Sequence, residues 1–127
     1  MIQINNADWG KIEVDGQEYR QVLIIGDEVL ERDDKKLHQL FNTTHQIGDW
    51  EEELLFSGKP EVMVIGNGFD GVLEVSEKFK ARLAARQVQS SKLGIELRIL
   101  KTPQAVEEFN RLSKEGKRVN ALIHTTC

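Results

Sequence analysis

One cysteine in 127 residues rules out an internal disulfide framework and suits a reducing compartment. Long apolar runs are missing too; none approaches the ~20 residues that a membrane-spanning helix needs. The opening stretch, Met1-Ile2-Gln3-Ile4-Asn5-Asn6-Ala7-Asp8, has no basic segment followed by an apolar one. No signal peptide is therefore expected, and the expected location is cytoplasmic. Positive charge is not in excess: the formal net charge is −4, and Lys35-Lys36 and Lys117-Arg118 are too short to form basic patches. Nonspecific nucleic-acid binding has no electrostatic basis in such a chain. Proline occurs twice, at Pro60 and Pro103, both at element boundaries, and there is no repeat or low-complexity tract.

What is present fits one globular domain over residues 1–127. A hydrophobic fraction of 39% beside 30% charged residues belongs neither to a disordered nor to a membrane-embedded chain. A chain of this size buries roughly two-thirds of its unfolded surface, enough for a core without disulfide or metal.

The first third reads as β. Lys11-Ile12-Glu13-Val14 alternates, Asp15-Gly16 signals a tight hairpin, and Tyr19-Arg20-Gln21-Val22-Leu23-Ile24-Ile25 returns as a strand. Glu28-Val29-Leu30-Glu31-Arg32 reads as a further short strand, while residues 33–48 show no consistent period. Asp49 is placed to cap a short helix through Leu55. Beyond it, helix and strand alternate. Glu61-Val62-Met63-Val64-Ile65 is nearly continuous in apolar residues, as in a buried parallel strand. Val72-Leu73-Glu74-Val75 reads as a short extended piece. Ser76 can cap a long helix over 77–92, and Ile95-Glu96-Leu97-Arg98-Ile99-Leu100 alternates as a strand. Thr102-Pro103 opens a second helix over 103–115, and Val119-Asn120-Ala121-Leu122-Ile123-His124 closes as a strand. These elements predict a three-layer α/β fold with a mixed central sheet. Its parallel core is 61–65, 95–100 and 119–124, covered by two crossover helices, and N-terminal β-hairpins extend that sheet or form a second one.

Gly66-Asn67-Gly68-Phe69-Asp70-Gly71 matches the glycine fingerprint of dinucleotide sites and follows a buried strand. Its context fails twice. Extended residues follow it in place of a helix, and Lys101 stands after Leu100 where a ribose-binding carboxylate belongs. The leading reading is a glycine-permitted turn, beside an anion or small-ligand loop. The tail His124-Thr125-Thr126-Cys127 offers a thiol and an imidazole, the parts of an activated nucleophile, but in a continuous strand residues three apart face opposite ways. The simpler reading is a core-edge histidine and a modestly buried thiol. His38, His45, His124 and Cys127 match no zinc spacing, so no metal is expected. Glu51-Glu52-Glu53 and Glu107-Glu108 read as solvated helix faces, and Trp9 and Trp50 as packing anchors or markers of an interaction surface. Ligands of a parallel sheet bind beyond the carboxyl ends of its strands. That rule places Gly66, Asn67 and Gly68 beside Thr125, Thr126 and Cys127 as a candidate cleft.

The same places carry a family resemblance. Trp9-Gly10, Val64-Ile65-Gly66-Asn67-Gly68, the run Gly94 to Thr102, Gln104-Ala105-Val106, Phe109-Asn110 and the closing His124-Thr125-Thr126-Cys127 together resemble the adipogenesis-associated domain family. Distant relatives in that family include a mitochondrial assembly factor for respiratory complex I. The resemblance is strong from Glu61 onward and weak between Gly26 and Trp50. It implies a mixed α/β fold and roles in assembly or regulation more than chemistry. The helix from Ser76 to Leu93 is about two turns longer than the family pattern, and no mitochondrial presequence is visible.

The functional expectation is a noncatalytic domain that binds a protein partner, with no cofactor. The alternative is a small-molecule or anion binder, or an enzyme, that uses the Gly66-Asn67-Gly68 loop with Thr125 and Thr126, His124 and Cys127 being its catalytic candidates. A homo-oligomer joined through the lengthened helix is the third.

Overall fold

Alternating strands and turn residues build the first element, a small antiparallel sheet in the order β1-β2-β3. β1 (Ile4–Asp8), β2 (Lys11–Val14) and β3 (Gln17–Tyr19) are joined by tight turns at Trp9-Gly10 and Asp15-Gly16. The computed structural model describes residues 1–89 and 94–127, with side chains through residue 85 and again from residue 94. One face of the small sheet is apolar and buried through Ile4, Ile12 and Val14, as period-two alternation requires.

The larger sheet is mixed and runs β5-β4-β8-β6-β7. β4 (Val22–Ile25) pairs antiparallel with β5 (Glu28–Glu31) and with β8 (Val119–His124). β8 and β7 (Glu96–Leu100) both run parallel to β6 (Val62–Asn67). The parallel core of three strands is therefore as expected, and the N-terminal β residues supply both a second sheet and an extension of the first. The single strand expected over 19–25 is in fact two. Tyr19 pairs with Ile12 in the small sheet, whereas Val22 pairs with Glu31 and Ile123 in the large one. The chain changes sheets at Arg20-Gln21. The half-polar β3 needs cover on one face; the run Val22-Leu23-Ile24 is buried on both.

Pleating sorts the central strands into two cores. Val62, Val64, Ala121 and Ile123 face the small sheet and helix α4 (Thr102–Lys114), meeting Ile4, Ile12, Val14, Ala105, Phe109 and Leu112. Met63, Ile65 and Leu122 face the opposite way. They pack on Leu55 and Phe56 of helix α2 (Asp49–Phe56) and on Phe79 and Leu83 of helix α3 (Glu77–Gln89). The layers are thus helix and small sheet, central sheet, helices. Ser76 caps α3 as its position predicts, its hydroxyl accepting the Phe79 N–H at 3.1 Å. The last residues expected of that helix, 90–92, lie outside the described residues.

The unpatterned stretch before Asp49 contains helix α1 (Asp34–Phe41), with Asp33 accepting the Lys36 N–H at 3.0 Å and Asn42 in the left-handed region at its end. Behind it lies a buried ion pair. Arg32 and Glu51 have no exposed side-chain surface, and Arg32 Nε sits 2.7 Å from Glu51 Oε2. Arg32 Nη2 donates to Glu51 Oε1 and to the Gln46 carbonyl, and Nη1 to the Thr44 carbonyl and Gln21 Oε1. The expectation that Glu51 and Glu52 belong to a solvated face is thereby corrected: both are buried, Glu52 beside Arg82. Residue 48, not 49, is the cap, and the Gly48 N–H donates to Glu51 Oε1.

Removing one member of a buried ion pair strands the other. Arg32→Met should lower unfolding free energy by about 3–5 kcal/mol, and Arg32→Met with Glu51→Leu should cost clearly less, as read by urea denaturation.

Candidate functional site

The carboxyl ends of β6 and β8 meet where the sequence places them, and the chain itself fills the space between. Gly66 lies inside β6 under α4, where a Cβ would stand 3.2 Å from both Ala105 Cβ and Ile123 Cδ1. Gly68 has φ +105°, and a Cβ there would fall 2.2 Å from the main-chain carbon of Cys127. Only glycine lets the tail lie this close. The tail is then tied down by main-chain hydrogen bonds. Thr125 accepts from the Gly10 N–H at 2.9 Å and Thr126 from the Phe69 N–H at 2.8 Å. The Cys127 main-chain oxygen accepts from the Asp70 and Val72 N–H groups at 3.0 and 2.9 Å. The Thr125 hydroxyl donates to the Arg20 carbonyl at 2.5 Å. The loop does present convergent N–H donors, the signature of an oxygen-binding nest, and here the oxygens they meet are those of Thr126 and Cys127.

Beneath the tail runs a buried polar chain. His124 is fully buried, with Nδ1 2.7 Å from Gln21 Oε1 and Nε2 3.0 Å from Thr126 Oγ1. Gln21 Oε1 already accepts from Arg32 Nη1 at 2.8 Å, so it accepts from His124 as well and Nδ1 carries the proton. Nε2 is then bare, and the Thr126 hydroxyl donates to it. Burial first, then the Arg32 charge and the His45 ring, pushes the His124 pKa from 6.5 down to about 3. The His45 ring meets His124 edge-on at 5.1 Å.

Hydroxyl, imidazole and acceptor in series is the layout of an activated nucleophile. Its electrostatics run the other way. A general base works best with a pKa near the working pH, and an imidazolium needs a carboxylate behind it. His124 has a neutral amide behind it, tied to a guanidinium cation. It is therefore an anchor for Thr126, fixing where the tail begins to turn.

Both His124 nitrogens are thus engaged by Gln21 and Thr126, while Cys127 is partly buried at the rim with a free thiol. Asn67 Oδ1 is buried and has no hydrogen-bond partner among the described residues. Its side chain lies beside Gly71, which the Lys101 stem also approaches. Thr102, expected to cap α4, works elsewhere: its hydroxyl donates to the His124 carbonyl and accepts the Gly68 N–H, while Lys101 is the N-cap residue. Sequence reasoning passed over Gln21 and Arg32, and it read Thr102 as a helix cap and not as a part of this site. Nothing in the local pattern marks the first two, since their partners are 103 and 19 residues away. Among the described residues no group of three histidine, cysteine or carboxylate side chains could hold a metal ion. No described helix is long and apolar enough to cross a membrane.

Outside the tail the surface turns apolar. Trp9, 58% exposed, stacks on Phe69 with ring centroids 6.2 Å apart, and Val72 is 43% exposed. Trp9 is thus no core anchor; it stands at the surface. Trp50 packs against Gly48 and beneath Lys36, whose ammonium lies 4.2 Å from the ring centroid.

Fold and site together define a small mixed α/β domain whose strand-end loop is closed by its own tail. The chain belongs to the family described as protein of unknown function (DUF498/DUF598), which matches residues 4–124. Among solved structures it is similar to the protein MT938, at 26% identity over all of both chains with a TM-score of 0.74. It is also similar to the conserved hypothetical protein PH1505 from Pyrococcus horikoshii, at 22% identity over 98% of this chain and 99% of that one, TM-score 0.74. A third likeness is to a Bordetella pertussis protein described as a Mth938-like domain, at 18% identity over 97% of this chain and 85% of that one, TM-score 0.59.

The depressed His124 pKa links stability to pH. Between pH 6.5 and about 3 the unfolded chain takes up a proton that the folded one refuses. This group's stabilisation is full above pH 6.5 and falls by up to about 1.4 kcal/mol per pH unit on acidification. His124→Asn should make the acid limb of the stability curve shallower by one proton. Gln21→Glu, which places a carboxylate against the imidazole, should raise the His124 pKa in an NMR titration. Gly68→Ala should destabilise by about 1–3 kcal/mol in thermal unfolding, because the tail must shift.

Proposed function

We propose that this domain is a noncatalytic module that binds a protein partner, in assembly or regulation, through the surface around Trp9, Phe69 and Val72. The observation that supports the reading is the Trp9–Phe69 stack, an exposed tryptophan held against a half-buried phenylalanine at the strand ends. Exposed aromatics are the commonest anchors of protein interfaces. The three residues are fixed through one tail: the N–H groups of Gly10, Phe69 and Val72 all donate to Thr125–Cys127 main-chain oxygens. A surface preorganised in this way loses little side-chain freedom on binding. The resemblance to the adipogenesis-associated domain family, with its complex I assembly relative, supports assembly over chemistry, and a cytoplasmic setting suits the single free thiol.

A second reading keeps the cleft as a small-molecule or anion site and rests on the unpartnered Asn67 Oδ1. A small molecule with a donor group would answer that oxygen, whereas an anion would have to displace Cys127 from the Asp70 and Val72 N–H groups. Gly66, Gly68, Thr125 and Thr126 would frame it, with Cys127 as its reactive group.

Purification of the tagged protein from its native cells should recover a partner, and Trp9→Ala with Val72→Asp should lose it without lowering the thermal midpoint by more than about 2 °C. Recovery of the free protein alone counts against the partner reading. A ligand-induced thermal shift that disappears in Asn67→Ala with Cys127→Ser would favour the cleft instead.

A further inference from the structure

We infer that the outer edge of β5 is a docking strand for an extended, cationic segment of another protein, added antiparallel so that Val29 and Glu31 each exchange a pair of main-chain hydrogen bonds with it. β5 pairs with β4 on one side, and among the described residues no strand lies along the other. Register decides which groups are open there. The Arg32 N–H donates to the Gln21 carbonyl at 2.9 Å, and the ladder continues as Val22 with Glu31, Leu23 with Leu30, Ile24 with Val29 and Ile25 with Glu28. Bonded and non-bonded pairs alternate along an antiparallel ladder. Counted from the bonded pair Gln21 and Arg32, Leu30 and Glu28 turn their main-chain groups toward β4. Val29 and Glu31 turn theirs outward, and those groups have no hydrogen-bond partner among the described residues.

The side chains along this edge select what can lie on it. Asp27, Glu28, Glu31 and Asp33 are all exposed. Arg32, within the same run, is buried and matched by Glu51. Arg20 lies 3.6 Å from Glu31, but that pair is exposed and of the kind that contributes little. A second copy of this chain would bring the same carboxylates against these, and like charges opposite each other destabilise a strand pair. Repulsion of this kind excludes self-pairing and leaves the edge to a strand of opposite charge. Between the two glutamates, Val29 and Leu30 are half-buried, Val29 against the core under the small sheet and Leu30 against the core under α2 and α3. An added strand covers what remains exposed of both. Its complementary sequence, from the N-terminus, is therefore cation, apolar, apolar, cation, set opposite Glu31, Leu30, Val29 and Glu28.

Edges that proteins close to strand addition carry proline, a bulge or an inward-pointing charge. β5 has none of these: its register with β4 is unbroken, and its sequence is Glu-Val-Leu-Glu. Strand addition at such an edge draws affinity from main-chain hydrogen bonds and specificity from the alternate side chains. The edge shares no residue with the Trp9 surface, so the inference goes beyond the reading of that surface and stands without it.

The probe is the peptide acetyl-Thr-Lys-Val-Val-Lys-Thr-amide, titrated into isotope-labelled protein at low salt and followed by amide NMR. The Val29 and Glu31 signals should shift and saturate, and added salt should weaken the binding. Glutamate in place of both peptide lysines should weaken it about tenfold, and Glu28→Lys with Glu31→Lys should reverse that preference. Methylation of single peptide nitrogens tests the register without altering the protein. The second valine's N–H meets the Val29 carbonyl, and its methylation should abolish binding. The first valine's N–H points away from β5, and its methylation should leave the affinity within about twofold. No shift at Val29 and Glu31 with millimolar peptide overturns the inference, as does binding indifferent to which nitrogen is methylated or to the peptide's charge. A free protein that sediments as a dimer, and as a monomer once Val29→Pro removes one outward donor, would put a second copy on the edge and overturn it too.

Discussion

A guanidinium can be hidden from water only if its donors are all answered and its charge is matched, and the position of Arg32 depends on that demand. Five hydrogen bonds from one side chain reach Glu51 in α2, the carbonyls of Thr44 and Gln46 in the connecting stretch, and Gln21 at the crossing between the sheets. The stretch from α1 to α2 has few apolar residues with which to dock. It is held by its own carbonyls instead, turned inward to a buried cation. Through Gln21 the same cation sets the tautomer of His124, and His124 sets the hydroxyl of Thr126. A chain of polar contacts thus begins at the edge of the core and ends at the strand-end loop, with each member oriented by the one before it.

The tail completes what that chain begins. Its main-chain oxygens gather the first hairpin turn and the loop after β6 into one surface, and the glycine at position 68 makes room for it. A loop of this composition suggests a phosphate cradle when read alone. In the folded molecule its donors have found oxygens on the same chain, and the outward result is a rigid aromatic pair. The chemistry of the loop and the character of the surface are therefore two sides of one set of hydrogen bonds.

How much of this is visible in sequence depends on whether the cause is local. β6 and β8 are legible because a nearly unbroken apolar run has few other homes, and α4 because Pro103 and the spacing of Ala105, Phe109 and Leu112 agree. The fingerprint-like glycines do form a turn, since the residues after Gly71 open no helix. The stretch 33–48 is illegible because its partner is one buried arginine, and no periodicity announces an ion pair. Glu51 and Glu52 mislead for the same reason. A carboxylate in a helix looks solvated until the cation opposite it is known. The run 19–25 shows the converse, a continuous pattern interrupted by a change of sheet that only long-range pairing imposes.

The order of strands in the large sheet has a bearing on how the chain reaches this state. β4 with β5 and β6 with β7 are each neighbours along the chain or joined by one crossover, yet the two pairs touch only through β8. β8 follows all of them in sequence. While the polypeptide emerges from a ribosome, the two halves of the sheet have no seam to share, and both keep an open inner edge until residues 119–124 arrive. Non-local closure of this kind is slow, because the loop entropy is spent before the contacts that reward it exist. The nascent chain therefore keeps each inner edge unpaired from the time its half of the sheet forms until β8 is available, and that strand zips both at once.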